Sequence, residues 1–379
     1  MKICQINNLF KPYSRGGADR IVEIIYNGLK KEGHDVFVVS TQTSKKNYQE
    51  NGNYYLKSYY ARLAGMLGVF RAFFVLADLV CLKNYFRIKK IIKNEKVDLV
   101  ITHNLRGLGF WTVRALKNIK HIHILHDIQL IHPSGLMIQN EEEKINNVFA
   151  KLYFNITKKI LASPNFAISP SAWLLEEHIA RGFFKKSKKI VLPNPAEISE
   201  STKSHDRADG QIKFLYVGEI EKHKGIFLLI EAFLQCRKYY ENISLDVIGK
   251  GSGEADLPRI QGINYLGWKT KKEVASAMVS ADCLIVPSLC YENSPTVIYE
   301  AANSCLPVIA SRIGGIGELA HQFGGILFNP GEIQDLEKKM VYAIKNPQII
   351  KIIGEVSGEK IKKYSVENYL KKIIELAHS

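Results

Sequence analysis

The sequence predicts an α/β chain of two domains, each an open parallel sheet flanked by helices. Three observations carry this. The chain has 379 residues, beyond the roughly 250 to 300 at which single cores stop growing. Short apolar, strand-like runs followed by longer helical patterns recur through both halves, which marks parallel βαβ units. Between the halves lies a polar stretch rich in turn formers and without periodicity, "NPAEISESTKSHDRADGQ", which reads as a linker.

Taken in order, the first half offers the strands "KICQI", "DVFVVS", "DLVITH", "HIHILHD", "NFAIS" and "KIVLP", and the second offers "IKFLYVG", "ISLDVIG", "INYLG", "DCLIVPS" and "PVIAS". The boundary is expected near Pro195, giving domains 1–195 and 196–379. No fixed-period repeat is present, so two similar architectures are expected and not an array. The final segment, 347–379, is amphipathic and helical and is able to pack back on the N-terminal domain. In open parallel sheets ligands bind outside the carboxyl ends of the strands, so functional motifs are sought directly after strands.

Composition sets the class. With 46% hydrophobic and 23% charged residues the chain reads as an ordinary globular protein with enough apolar material for two cores. The cysteines, Cys4, Cys81, Cys236, Cys283, Cys290 and Cys305, show no C-x-x-C pair and several sit in strand-like runs. They are expected to be reduced core residues. "MKICQINNLF" enters a strand at once and lacks the features of a signal peptide, so a cytoplasmic location is expected. The net charge of +15 is concentrated: residues 1–195 hold 30 Lys and Arg against 14 Asp and Glu, and the remainder holds 22 against 23. A one-sided basic field attracts nucleic acid, anionic membrane or phosphorylated ligands, or is simply a solvated surface.

"LAGMLGVFRAFFVLADLVCL", residues 63–82, approaches the length of a membrane span. Arg71 and Asp78 fall on one helical face, so it reads as a core helix or an interfacial amphipathic helix. Lys83, Arg87, Lys89, Lys90 and Lys93 follow it, and "FFKKSKK" at 183–189 also pairs aromatics with clustered cations. With no recognition-helix or zinc motif beside them, these patches favour an anionic membrane over nucleic acid.

Motifs then follow the strands. In "PYSRGGADR", Gly16 and Gly17 open a helix, where backbone N–H groups approach an anion at the positive end of the helix dipole. A plain tight turn fits them equally. "ILHDI" places His126 and Asp127 at a strand's carboxyl end, where a histidine is able to donate to a sugar hydroxyl or carry charge near a reacting centre. "VITHN" gives His103 the same placement, whereas His121 and His123 lie within their strand and read as packing. In "FLYVGEIEKHKGIFLLIEAF", Lys222, His223, Lys224 and Gly225 precede a helix, as a phosphate site requires. "VIGKGSGEA" adds Gly249, Gly251 and Gly253 without the rest of a dinucleotide fingerprint.

"YENSPTVIYEA" follows "DCLIVPS". Pro295 suits the first turn of a helix, Ser294 or Asn293 its cap, and Glu300 then lies about one and a half turns inside. Glu292 and Glu300 both fall near strand ends. A dipole-friendly acid and a solvated one fit the same pattern. "GGIGEL", 314–319, supplies another glycine turn after the next strand.

Taken together these residues resemble glycosyltransferase family 4, retaining, nucleotide-sugar-dependent enzymes of the GT-B fold, in which two Rossmann-like domains face each other across a cleft. The resemblance covers nearly the whole chain. The family's GG loop, N-domain histidine, G-R…K-G loop and paired glutamates correspond in order to Gly16 and Gly17, His126, Lys224 with Gly225, and Glu292 with Glu300. It implies that Glu292 and His126 act at the donor sugar and that Glu300 binds the ribose. Lys222, Lys224, Gly249 and the backbone of Ser294, Thr296 and Val297 would serve the donor diphosphate, with Gly17 closing on it, and the residues after Gly267 would carry the base. His103 and Asp127 would lie on the acceptor side.

The implied reaction moves a hexose-type sugar, from UDP more readily than GDP, to a lipid-linked or polysaccharide acceptor in cell-surface glycan synthesis such as lipopolysaccharide. It implies retention by front-face attack, with double displacement through a carboxylate as the rival. No Asp-x-Asp motif occurs, so no metal or other cofactor is expected and lysine supplies the positive charge. The enzyme is expected on the inner face of the cytoplasmic membrane. One departure stands out: Glu219 occupies the place of the family's arginine, and Lys222 is expected to substitute for it. A non-catalytic GT-B partner protein and a nucleotide-sugar epimerase are the alternatives.

Overall fold

The computed structural model describes residues 1–14, 16–42, 46–58, 68–198 and 211–379, the side chains of 68–73 excepted. The linker tract 199–210 and the first part of the apolar stretch, 63–67, lie outside these. The described chain divides into two compact units: Met1–Met137 with Glu142–Pro195 and Val366–Ser379, and Ile138–Glu141 with Ala196–Ser365.

The first unit carries strands β1 (Lys2–Ile6), β2 (Asp35–Gln42), β3 (Tyr48–Glu50), β4 (Asn53–Lys57), β5 (Leu99–Thr102), β6 (Lys120–Ile124), β7 (Phe166–Ser169) and β8 (Lys188–Val191). They form one sheet in the order β3-β4-β2-β1-β5-β6-β7-β8. All neighbours are parallel except β3 and β4, an antiparallel hairpin at the edge. That hairpin is absent from the sequence reading, because "YQE" and "NYYLK" mix polar and apolar residues without a continuous apolar run. Helices α1 (Gly17–Lys31), α2 (Gly68–Leu79), α3 (Leu82–Glu95), α4 (Val148–Leu161) and α5 (Ala172–Ala180) cover the sheet.

The core of this unit joins Ile3, Val22, Ile25, Val38 and Ile101 to residues of the last helix, Tyr369, Leu370 and Ile373. Gly28 lies against this helix, and a Cβ there would fall 2.5 Å from Leu370 Cδ1. The apolar stretch 63–82 breaks after Leu79, and α3 begins at Leu82. Asp78 accepts from the Gly107 N–H at 2.7 Å. Among the described residues no helix is long and apolar enough to cross a membrane.

The second unit carries β9 (Ile212–Val217), β10 (Ile243–Ile248), β11 (Ile263–Gly267), β12 (Cys283–Val286), β13 (Val308–Ser311) and β14 (Ile326–Phe328). All are parallel, in the order β11-β10-β9-β12-β13-β14. The helices are α6 (Ile226–Arg237), α7 (Lys271–Ser280), α8 (Thr296–Asn303), α9 (Gly314–Gln322), α10 (Ile333–Lys345) and α11 (Pro347–Lys360), and α12 (Val366–His378) returns to the first unit. Segment Ile138–Glu141 belongs to this second unit although it follows β6 in sequence: Ile138 bridges to Cys290, and the Gln139 N–H donates to Leu289 O at 2.9 Å. Two α/β units with parallel sheets are the fold class that the sequence predicts.

Both sheets reverse their strand order once, between β1 and β5 in the first and between β9 and β12 in the second. At such a switch point the loops leaving the two central strands diverge to opposite faces and open a crevice at the carboxyl ends. Gly16 and His103 follow β1 and β5. Lys224 and Glu292 follow β9 and β12.

Candidate functional site

In the first unit, the loop after β1 is tied down by polar side chains. Asn7 Nδ2 donates to Asp19 Oδ1 at 3.0 Å and to Leu9 O at 2.6 Å, and Asn7 Oδ1 accepts from the Asn104 N–H at 3.1 Å. Asp19 accepts in turn from the Gly16 N–H at 3.4 Å, so the helix entry is fixed from within. Gly16, as the cap residue, brings no side-chain acceptor to the first turn of α1. Gly16 has an extended backbone (φ −140°) and open space where a Cβ would stand. The fold itself does not require glycine there, whereas close approach by a ligand to the backbone does.

His103 and His126 are brought together, with His103 Nδ1 and His126 Nε2 2.9 Å apart and the rings stacked at 5.2 Å. His103 is buried and His126 half-buried. Burial lowers the pKa of both, to about 4 for His126, so both are neutral at pH 7. Asp127 faces other groups: it accepts from the Gln129 N–H at 2.7 Å, from Gln129 Nε2 at 3.2 Å and from Asn104 Nδ2 at 3.3 Å. It clamps the loop ends after β5 and β6, and the sequence reading of it as an acceptor-side group has no support in these contacts. His121 and His123 are buried on either side of Thr102, at 2.7 and 2.8 Å from its hydroxyl, as packing residues.

In the second unit, Lys224 Nζ lies 3.1 Å from Glu292 Oε2, both side chains 22% exposed. Burial pulls the Lys224 ammonium toward its neutral form, but the charges of Glu292 and Glu219 outweigh it and its pKa is raised. The cation is therefore secure. Lys222 is exposed, in the same 3-10 turn Lys222–Lys224. Glu219 is exposed too, and its carbonyl accepts from the Tyr216 hydroxyl at 2.7 Å. Glu221 accepts from Ser252 N–H and Oγ, both at 2.7 Å, which joins the lysine turn to the next loop.

Several glycines are explained by packing alone. Gly225 has φ +76°, and a Cβ on it would lie 1.8 Å from Pro287 O. Gly249 has φ +152°, and a Cβ would lie 1.8 Å from Gly218 O. Backbone against backbone is thus sufficient reason for Gly249, which the sequence reading gave to the donor.

Glu292 sits on a loop held by its neighbours. The Gly315 N–H donates to Glu292 O at 2.9 Å, and Ser311 Oγ donates to Ser288 O at 2.8 Å. Helix α8 begins at Thr296 with Pro295 as its cap residue (φ −65°). The expectation of Ser294 or Asn293 as cap is corrected here: the Ser294 hydroxyl pairs with that of Tyr299 at 2.7 Å. Pro295, as the cap residue, thus brings no side-chain acceptor to the first turn of α8, Thr296 and Val297 included, at its positive end. Glu300 is the fifth residue of that helix and half-buried. The unit therefore brings together a lysine, a carboxylate and a helix N-terminus beside its switch point, a set suited to a phosphorylated, hydroxyl-rich ligand.

The sequence reading did not find Gln5, Asn7 and Asp19, whose partners lie up to about a hundred residues away. A polar residue inside a strand otherwise reading as core, as in "KICQI", was the available signal.

Comparison with known proteins bears on the family and the fold. Residues 15–200 match the model described as Glycosyltransferase Family 4, and residues 197–365 match that of Glycosyl transferases group 1. An uncharacterized 42.6 kDa protein of the cps region of Klebsiella pneumoniae is 27% identical, covering 90% of this chain and 96% of that protein. Among solved structures, sucrose-phosphate synthase of Thermosynechococcus elongatus superposes with a TM-score of 0.74 at 18% identity, covering 100% of this chain and 98% of the other. HepE of Anabaena, solved in complex with UDP, gives 0.73 at 18% identity over 99% of both.

Proposed function

The chain belongs to the family 4 type of glycosyltransferases, with the GT-B fold, and from that premise we propose that it moves a hexose-type sugar from a nucleoside diphosphate, UDP before GDP, to a hydroxyl of a lipid-linked or polysaccharide acceptor. The observation that carries this is the Lys224–Glu292 pair beside the start of α8. Lys224 and the first N–H groups of α8 hold the diphosphate, Glu292 accepts from donor-sugar hydroxyls, and Glu300 accepts from the ribose. His126 touches the donor sugar. The UDP bound to HepE and the cps region of the Klebsiella relative support the donor class and the setting in cell-surface glycan synthesis.

The reaction is a front-face displacement with retention. The acceptor oxygen bonds to the anomeric carbon as the bond to the phosphate oxygen breaks, and the acceptor proton passes to a donor phosphate oxygen. The products are the glycoside and the nucleoside diphosphate. Charge builds on the leaving diphosphate, so positioned lysine charge supplies the main stabilisation, in place of a metal.

Saturating UDP at a hundred times Kd is expected to stabilise the protein by about 2.7 kcal/mol, a rise in Tm of about 5 to 10 °C for a unit of this size. Incubation with a panel of nucleotide sugars then gives product only when membrane extract is added. Product without acceptor indicates an epimerase. Nucleotide binding without turnover indicates a partner protein.

The membrane part of the reading rests on the first unit. Leu76, Val80, Leu82 and Phe86 on and between α2 and α3 are exposed, as are Val148 and Leu152 on α4, with Lys83, Lys89, Lys90, Lys93 and Lys151 also exposed on α3 and α4. The second patch read from sequence is corrected: Phe183 and Phe184 are each 1% exposed and turn inward, leaving only the lysines outside. Co-sedimentation with phosphatidylglycerol vesicles is expected to be strong at low salt and to fall severalfold at 0.5 M salt. Equal binding to neutral vesicles removes the anionic-surface part.

A further inference from the structure

The inference rests on the reading of Glu292 as a ligand of the donor sugar. Its carboxylate has Lys224 Nζ 3.1 Å from Oε2 and the Cys290 thiol, a weak donor, 4.0 Å from Oε1. The rest of its aim comes from the backbone of the loop from Ser288 to Glu292. At the ends of that loop, Ser288 O accepts from Ser311 Oγ at 2.8 Å and Glu292 O from the Gly315 N–H at 2.9 Å. Between them, Leu289 is bonded on both sides. Its N–H donates to His223 O in the lysine turn, and its carbonyl accepts from the Gln139 N–H, both at 2.9 Å. Beside it, Cys290 forms an antiparallel bridge with Ile138.

The lysine turn is closed by its own bonds, from the Lys224 N–H to Glu221 O and from the Gly225 N–H to Lys222 O, both at 3.0 Å. Gln139 has an anchor of another kind. Its Nε2 donates to Pro330 O at 3.0 Å, in the loop after β14, and its Oε1 lies 3.4 Å from the point where a Cβ on Gly331 would stand. Gln139 thus spans the loops after β12 and β14, although in sequence it belongs to the connection between β6 and α4 of the first unit. We propose that Gln139 is a positioning residue: its amide anchors the segment Ile138–Glu141 to Pro330, and the segment holds the Leu289–Cys290 backbone so that Glu292 meets the donor sugar at a fixed distance from Lys224. A carboxylate that must be in place before charge develops loses rate for a small displacement, about a hundredfold for 1 Å. Lys224 and the first turn of α8 stand on elements with hydrogen bonds of their own, so donor affinity is expected to hold.

The direct test is residue-resolved amide hydrogen exchange of the full-length protein, wild type against Gln139→Met. Exchange at Leu289 and Glu292 is expected to speed by about tenfold or more, with β12 unchanged. Unchanged exchange at Leu289 overturns the proposal. In kinetics, Gln139→Met is expected to lower kcat about 10- to 100-fold, with donor KM changed less than about twofold. In a Glu292→Gln background the same substitution is expected to cost less than about threefold, because the carboxylate through which it acts is gone. An equal loss in both backgrounds, with Tm unchanged, overturns the proposal. Gln139→Glu keeps the shape of the side chain without its donor and is expected to match Gln139→Met at pH 8. A Gln139→Glu protein with wild-type kcat at that pH also overturns the proposal. Faster exchange at Leu289 together with no transfer from any nucleotide sugar leaves the anchor standing and removes the glycosyltransferase reading of its purpose.

Discussion

Lys224→Ala is expected to lower kcat/KM for sugar transfer by about a thousandfold, roughly 4 kcal/mol of transition-state stabilisation. Lys224 is half-buried, 3.1 Å from Glu292, and its ammonium is held in the charged form by that neighbour. A charge so placed acts through a medium of lower dielectric than water, and its orientation is set before substrate arrives. Lys222 presents the contrasting case. It is exposed on the same turn, so Lys222→Ala is expected to raise donor KM by about tenfold and to lower kcat little. That effect is expected to shrink at 0.5 M salt, where a surface charge is screened within about 4 Å.

Steady-state kinetics of the two variants at two salt concentrations checks this, with Tm as the control for folding. Lys224→Ala within threefold of wild type would remove the pair from the diphosphate site. Lys222→Ala without effect would remove the idea that it compensates for Glu219. Glu292→Gln separates the roles further: it leaves the lysine charged and is expected to cost as much in kcat as Lys224→Ala. Combining the two is expected to cost little more, because two groups that act as a unit are not additive.

The parts of the fold that were legible in the sequence are those whose signal is local. Strands buried on both faces read as continuous apolar runs, and all eleven expected from sequence appear. The hairpin β3–β4 was missed because "YQE" and "NYYLK" mix polar and apolar residues without a continuous apolar run, and β14 because three residues are too few to show a pattern. The placement of Glu292, Lys224 and His126 was legible because they fall in the loops that leave β12, β9 and β6. What sequence does not reveal is which of two causes a residue serves. Gly249 reads like a ligand loop, yet its φ of +152° and the 1.8 Å approach of Gly218 O account for it. Asp127 reads like a cleft acid, yet three donors from Asn104 and Gln129 claim it. Ser294 reads like a helix cap, yet its hydroxyl pairs with that of Tyr299. Each resolution needs a partner that only the tertiary structure supplies.

Acidification is expected to unfold the first unit before the second. His103, His121, His123 and His178 of the first unit are all buried, at most 6% exposed. Burial lowers the pKa of each, to about 3 for His121 and about 4 for His178. His178 shows why charging is resisted: its Nδ1 donates to Leu174 O at 2.7 Å, while its buried Nε2 has no hydrogen-bond partner and its ring packs on Phe183 and Phe184. A proton on that nitrogen would place an unsatisfied N–H and a charge among rings. The unfolded chain binds protons at these histidines below about pH 6.5, whereas burial in the folded unit holds all four well below that, to about 4 for His178 and about 3 for His121. Stability is thus fully present above pH 6.5 and is lost as pH falls from 6.5 toward 4.

At pH 5 each excluded proton costs about 2 kcal/mol. Four histidines then give an upper limit of about 8 kcal/mol, of the order of the whole stability of a domain. In the second unit, among the described residues, His223 is half-buried and His321 exposed, and none is fully buried. Hydrogen exchange at pH 5, corrected for intrinsic rates, is therefore expected to open the strands β1, β5, β6 and β7 while β9, β10 and β12 stay protected. His178→Phe, which fills the site with a ring that takes no proton, is expected to move the acid transition down in pH. Uniform loss of protection in both units, or an unchanged transition in His178→Phe, would show that the buried histidines do not set the acid limit of the fold.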